Sequence, residues 1–202
     1  MNKNLVAVVL PASCVVLDYR SGRTELHTTP PEGALTVQHQ EEAPSWGTIE
    51  VAAALTRVPA APWTQRLAAV PVLLATAVVA HAGPRSGKFH RLVRLAGIGR
   101  GLPRASKSRA RDSVNAIRWA SRVMPARWAC LEQSTAAAVL MAASGRRAEW
   151  RHGIAGDPVR MHAWIADSDG RPVEEPPDTA LYAVTYTPDG PPLAEGRKGA
   201  AS

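Results

Sequence analysis

An α+β fold is predicted by three features of this 202-residue chain. Its beginning holds β-branched runs around turn signals, its middle holds apolar stretches at helical spacing, and its last third alternates short β-like pieces with a hairpin signal. Apolar residues make up 46% and charged residues 20%, ordinary for a chain that can offset the entropy of ordering itself. The length allows one well-buried domain plus a small appendage, or two small domains.

Residues 5–10 and 14–19 are rich in Val and Leu, flank a Pro11 turn and read as strands. Arg20-Ser-Gly-Arg23 makes a hairpin turn into Thr24–Thr28, where apolar and polar positions alternate, and Pro30-Pro31-Glu-Gly33 ends the pattern. Trp46–Arg57 is predicted as a short helix capped by Ser45, and Pro59–Pro62 as a linker. Thr64–His81 is an apolar helix containing Pro71 and stopped by Gly83-Pro84, and Arg91–Ile98 a second, shorter one. Gly97–Arg111 reads as an exposed loop, after which Val114, Ile117 and Ala120 restore helical spacing over 113–123. Pro125–Ala143 is read as a helix with proline near its start and Ser144-Gly145 as its stop. Strands are expected at 149–154, 162–166, 172–174 and 181–186, with Asp167-Ser-Asp-Gly170 as a hairpin turn. The organisation is therefore a small β-rich subdomain over 1–60, a main domain over 63–187, and a Pro-, Gly- and Lys-rich disordered tail over 188–202.

Only Cys14 and Cys130 are present, too few for a disulfide framework, and no cleavable apolar segment follows the N-terminal Met-Asn-Lys-Asn. A reducing, cytoplasmic setting is expected. The longest apolar run, Leu67–Ala80, has 14 residues and contains Pro71. A spanning helix needs roughly 20, so a buried or interfacial helix, and no membrane span, is expected.

The net charge of +7 is uneven: residues 85–127 hold twelve Lys or Arg against the single acid Asp112, a local +11, and the remainder carries −4. Such a run suits a nucleic acid, an anionic surface or an acidic peptide, and equally a solvated helix face. No aromatic interleaving, zinc-ligand spacing or helix-turn-helix pattern accompanies it, so nucleic acid is not the expected partner.

Cys130 alone says little, since a free cysteine is usually a small buried hydrophobe. Its place near a predicted helix start, with Arg127 just before it, favours thiolate, the attacking species. A thiolate enzyme also needs a base, and His162 in His162-Ala-Trp164 is the candidate. It stands on the strand before the hairpin, and the return strand brings Glu174 and Glu175 back, where a carboxylate orients the imidazole. Cysteine on a helix, histidine on one strand and an acid on the next is the order that a papain/transglutaminase-like core requires, its catalytic helix packed on a small antiparallel sheet.

Residues 127–175, about a quarter of the chain, resemble the leader peptidases of lasso-peptide biosynthesis, the B proteins, which belong to the transglutaminase-like cysteine proteases. Cys130-Leu-Glu-Gln-Ser134, Gly153-Ile154, His162-Ala-Trp164 and Gly170-Arg-Pro-Val-Glu-Glu175 carry the resemblance, as does the spacing of 32 residues from Cys130 to His162. It implies a cysteine peptidase that removes the leader of a ribosomally made precursor, with Trp128 and Trp164 contacting substrate and no cofactor or metal. It departs in having Ala166 where the family often has Glu, and its hairpin is one residue longer. The family's pattern puts the third catalytic residue at Glu175, whereas counting from His162 favours Glu174. Partners implied are the precursor leader peptide, an asparagine-synthetase-like macrolactam cyclase and a separate leader-recognition protein. Val15–Arg23 is itself similar to the hairpin of small leader-recognition modules of the PqqD-like, pyrroloquinoline-quinone chaperone type, which take a peptide as an added strand. Two rival readings stand beside this one: an acyltransferase or amidase using the same triad, and a non-enzymatic basic binding protein built on residues 85–127.

Overall fold

The β-branched N-terminal residues build a four-stranded sheet in the computed structural model of the protein, which describes residues 4–38, 60–156 and 158–188. Its strands are β1 (Leu5–Val9), β2 (Cys14–Asp18), β3 (Thr24–His27) and β4 (Leu35–Gln38), in the order β3-β2-β1-β4. β1 and β3 flank β2 antiparallel, and β4 runs parallel to β1. Asp18 sets the β2–β3 turn by accepting from the Arg20 N–H at 2.8 Å, with Gly22 at φ +73° completing it. Strand β4 goes beyond the sequence reading: four residues after a Pro-Pro-Glu-Gly break give no local sign of a parallel partner. The helix expected at Trp46–Arg57 and nearly all of the tail expected from 188 lie outside the described residues.

Four helices follow: α1 (Trp63–His81), α2 (Lys88–Ala96), α3 (Lys107–Val123) and α4 (Cys130–Ala143). Helix α3 starts inside the segment read as a loop, because Ser106 caps it by accepting from the Arg109 N–H at 3.3 Å. Helix α4 begins at Cys130, five residues later than the sequence reading, with Ala129 extended before it. Arg91 of α2 donates to the carbonyls of Val79, Ala80 and Pro84, so a cation closes the C-terminal end of α1.

Helix α4 touches α1, α2, α3 and strand β6. That explains a sequence apolar on all sides, with Ala136, Ala137 and Ala138 buried and small enough to admit neighbours all round. The inner face of α1, through Ala69, Leu73, Thr76 and Ala80, is buried, while Trp63, Leu67, Leu74 and Val78 are exposed. By length and composition alone this 19-residue helix could cross a membrane, longer than the 14-residue run read from sequence.

The last third forms an antiparallel sheet of β5 (Glu149–Ala155), β6 (Arg160–Ala166) and β7 (Ala183–Tyr186), in the order β6-β5-β7. The turn at Asp167–Gly170 forms, with Asp167 Oδ1 accepting from the Asp169 and Arg171 N–H groups, each at 2.9 Å. The strand expected at 172–174 does not. Only an isolated bridge joins Ala166 to Pro172, since Pro172 has no N–H to give and Glu174 adopts φ +56°. A 3₁₀ turn at Pro177–Leu181 replaces the start of the final predicted strand.

One apolar cluster runs through both sheets and the helices, including Val6, Val15, Leu73, Ile117, Met141 and Trp150. A buried polar ring joins the sheets as well: Tyr19 Oη lies 2.7 Å from His152 Nδ1 and 2.6 Å from Thr185 Oγ1, and Thr185 Oγ1 donates to the His152 carbonyl at 3.1 Å. A proton on Nδ1 satisfies all three contacts, His152 donating to Tyr19 and Tyr19 to Thr185.

Half of the basic run is answered from within. Lys88 pairs with Glu132, Arg104 with Glu149, Lys107 with Asp169, Arg111 with Glu174 and Arg118 with Glu175. With Arg91 on carbonyls, half of its twelve cations are tied to partners on other elements.

Candidate active site

Cys130 is the first residue of α4, so its side chain stands where unpaired backbone N–H groups and the positive end of the helix dipole meet. It is half-buried. His162 comes from the opposing strand β6, and the two side chains line one cavity and interact electrostatically. The Ala163 and Leu131 N–H groups also favour the charged form of Cys130. Burial pushes the thiol up, but these contacts, led by His162, outweigh it and hold Cys130 below its ordinary value.

The acid contact falls on Glu175, whose Oε2 lies 3.0 Å from His162 Nε2. With Nε2 turned to the carboxylate, Nδ1 is the nitrogen left to face the sulfur. Burial disfavours the imidazolium, yet the interactions with Cys130 and Glu175 raise His162 to about 9. The charged forms of Cys130 and His162 therefore favour each other. Glu174 points elsewhere, to Arg111 at 2.9 Å. Its left-handed backbone costs about 1–2 kcal/mol for a residue with a Cβ, and it turns the chain so that the next side chain reaches the imidazole.

Trp164 is 2% exposed and stacks on His162, ring centroids 5.8 Å apart and planes 13° apart. Tyr182 flanks the imidazole at 5.4 Å. The indole thus backs the histidine and has almost no surface to offer a substrate. Gly153, opposite His162 in the β5–β6 register, makes room for it: a Cβ there would stand 2.9 Å from Trp164 Cη2 and 2.8 Å from the Ala183 carbonyl oxygen. Trp128 is half-buried two residues before the cysteine, and its indole N–H has no hydrogen-bond partner.

Sequence reasoning passed over Arg118. Its Nη2 donates to Glu175 Oε1 at 2.7 Å and its Nη1 to the Glu174 carbonyl. Inside a run of twelve cations nothing marked it; the only available signal was its place on the apolar-lined face of α3, one residue after buried Ile117. A cavity of about 160 Å³ adjoins the group, lined by Cys130, His162, Glu175 and Arg118 with apolar walls that include Ile117 and Ile165. Among the described residues, no cluster of three or more His, Cys, Asp or Glu is placed to hold a metal ion.

Chemically the arrangement joins an accessible sulfur, a proton carrier and a carboxylate orienting that carrier, the parts that covalent acyl chemistry uses. A family model described as the transglutaminase-like superfamily matches residues 70–187. No curated protein and no solved structure matches the chain.

Proposed function

The chain belongs to the transglutaminase-like superfamily, whose model spans more than half of it, and from that premise we propose that it is a cysteine peptidase that removes the leader from a ribosomally synthesised precursor during lasso-peptide maturation. Members of this superfamily are typically cysteine-type enzymes. The observation that carries the reading is the convergence of Cys130, at the start of α4, with His162 and Glu175 on one cavity, Glu175 Oε2 lying 3.0 Å from His162 Nε2.

In this reading His162 takes the Sγ proton and the thiolate attacks the carbonyl carbon at the leader–core junction. Backbone N–H groups at the start of α4 stabilise the oxyanion. The C–N bond breaks as His162 returns the proton to the departing core amine, leaving a thioester on Cys130. Water, deprotonated by His162, then releases the leader as a carboxylate. Trp128, half-buried two residues before the nucleophile, is the proposed contact for the peptide. The freed core amine passes to an asparagine-synthetase-like macrolactam cyclase, and the exposed edge strand β3 of the N-terminal sheet is the surface for the leader.

The test is to incubate wild type and Cys130→Ala with a leader-bearing precursor peptide and to read intact masses. Cleavage at the junction, with one water added across the two fragments and none from the variant, is the expected result. Equal trimming by both proteins would remove Cys130 from the mechanism. Transfer of the acyl group to an added amine in place of water would assign the same triad to an acyltransferase.

A further inference from the structure

We propose that Arg118 is a positioning residue of this site: its two-pronged guanidinium holds the Glu174 carbonyl and one carboxylate oxygen of Glu175, so that the other oxygen stays on the imidazole of His162. The inference rests on the reading of Cys130 and His162 as nucleophile and base, and goes beyond it.

Glu175 follows a backbone that would not by itself aim it correctly. Val173 is buried and donates its N–H to the Ile165 carbonyl, in register with β6. Had the ladder continued, Glu175 would alternate back to the face of Val173. Glu174 leaves the ladder through its left-handed conformation, and no strand holds the chain beyond it. The contacts that replace the ladder come from α3. Arg118 spans the backbone of Glu174 and the side chain of Glu175, and Arg111, two helical turns earlier on the same face, takes the Glu174 carboxylate.

The division of the Glu175 carboxylate is specific. Oε1 accepts from Arg118 at 2.7 Å and Oε2 faces His162 at 3.0 Å, with the side chain only 10% exposed. A lysine could carry the charge but could not donate along two directions in one plane. Arg118 itself is 26% exposed, and both of its hydrogen bonds go to Glu174 and Glu175. It therefore acts through Glu175.

Two roles for the cation differ in how they combine with the acid. If Arg118 acts by charge alone, its removal destabilises the thiolate whether or not Glu175 is charged, and the shift adds to that of Glu175→Gln. If it positions Glu175, its removal frees the carboxylate, and the shift vanishes once that carboxylate is gone.

The experiment is the pH dependence of carboxamidomethylation by iodoacetamide, followed at Cys130 by peptide mass, in the full-length protein. Arg118→Met is expected to move the midpoint upward by about one pH unit. Arg118→Lys is expected to fall between it and wild type, and Glu175→Gln to shift at least as far as Arg118→Met. Adding Arg118→Met or Arg118→Lys to Glu175→Gln is expected to give no further shift, because the acid through which Arg118 acts is already gone. A purely structural residue would lower the folded fraction without moving the midpoint. A downward or absent shift in Arg118→Met, or a shift that adds to that of Glu175→Gln, overturns the proposal. Should Arg118→Met fail to fold, the two lysine variants decide it: a wild-type midpoint in Arg118→Lys, or additivity with Glu175→Gln, overturns the two-pronged role. A His162→Ala control separates the failures, since a wild-type profile there removes His162 as the base, whatever Arg118 does.

Discussion

Replacing Gly153 with alanine tests how the sheet builds the histidine side of the site. Gly153 lies opposite His162, and its added Cβ would stand 2.8 Å from the Ala183 carbonyl oxygen, 2.9 Å from Trp164 Cη2 and 3.1 Å from Cζ3. Relaxed carbon contacts lie near 3.5–4.0 Å, so the methyl overlaps two neighbours by roughly 0.5–1 Å. The carbonyl belongs to β7 and cannot swing aside. The indole is fully packed and stacked on His162, so it can yield only by pushing the imidazole. Overpacking of this size costs about 1–3 kcal/mol, against a gain of about 0.4–1 kcal/mol from a stiffer unfolded chain. Gly153→Ala is therefore expected to lower the urea midpoint by the equivalent of about 1–2 kcal/mol at unchanged m, and to slow Cys130 alkylation. Gly101 is the control, because nothing lies within 4 Å of its added Cβ. Gly101→Ala is expected to be neutral or slightly stabilising. A Gly153→Ala protein as stable as wild type, with the same thiol reactivity, would refute the idea that this glycine makes room for the indole backing His162.

Burial, with a lesser contribution from the charge of His162, lowers His152 to about 3 from 6.5. The unfolded chain thus binds more protons between those values, and the stability tied to neutral His152 is complete above about 6.5 and lost as pH falls. The loss approaches 1.4 kcal/mol per pH unit, or roughly 2 kcal/mol at pH 5, and urea unfolding should show that slope vanish in His152→Gln. Glu175→Gln and Glu174→Gln are expected to part company: the first should slow peptide cleavage at least about 100-fold, and the second, which breaks a pair with a largely exposed arginine, should change it less than about threefold. Ser106→Ala removes the cap of α3 and should cost about 1 kcal/mol in urea unfolding, with little effect on the alkylation midpoint.

What the sequence disclosed is what local pattern can carry. The Val-rich runs of β1 and β2, the Asp167–Gly170 turn and the alanine-rich body of α4 announce themselves through spacing and turn chemistry. Cys130 and His162 could be paired on paper because one falls near a predicted helix start and the other on the strand just before the Asp167–Gly170 turn. Strand β4 could not be read, since four residues paired in parallel across a crossover leave no local trace. The start of α3 was hidden by its Ser, Lys and Arg content, which looks like loop until Asp169 and Glu174 supply partners from the far hairpin. The choice between the two glutamates escaped for a similar reason: alternation assumes a continuing strand, and the left-handed turn at Glu174 ends it. Arg118 became visible only through contacts 56 and 57 residues away.

The proposed chemistry needs the sulfur of Cys130 ionised while the ring of His162 is protonated. The direct measurement is the ultraviolet absorbance of thiolate against pH, taken as the difference between wild type and Cys130→Ala and repeated in a His162→Ala background. The expected result is thiolate already present at neutral pH in wild type, appearing only at higher pH once the imidazole is gone. Absorbance that rises only around the ordinary thiol value of about 8.5, with or without His162, would contradict it.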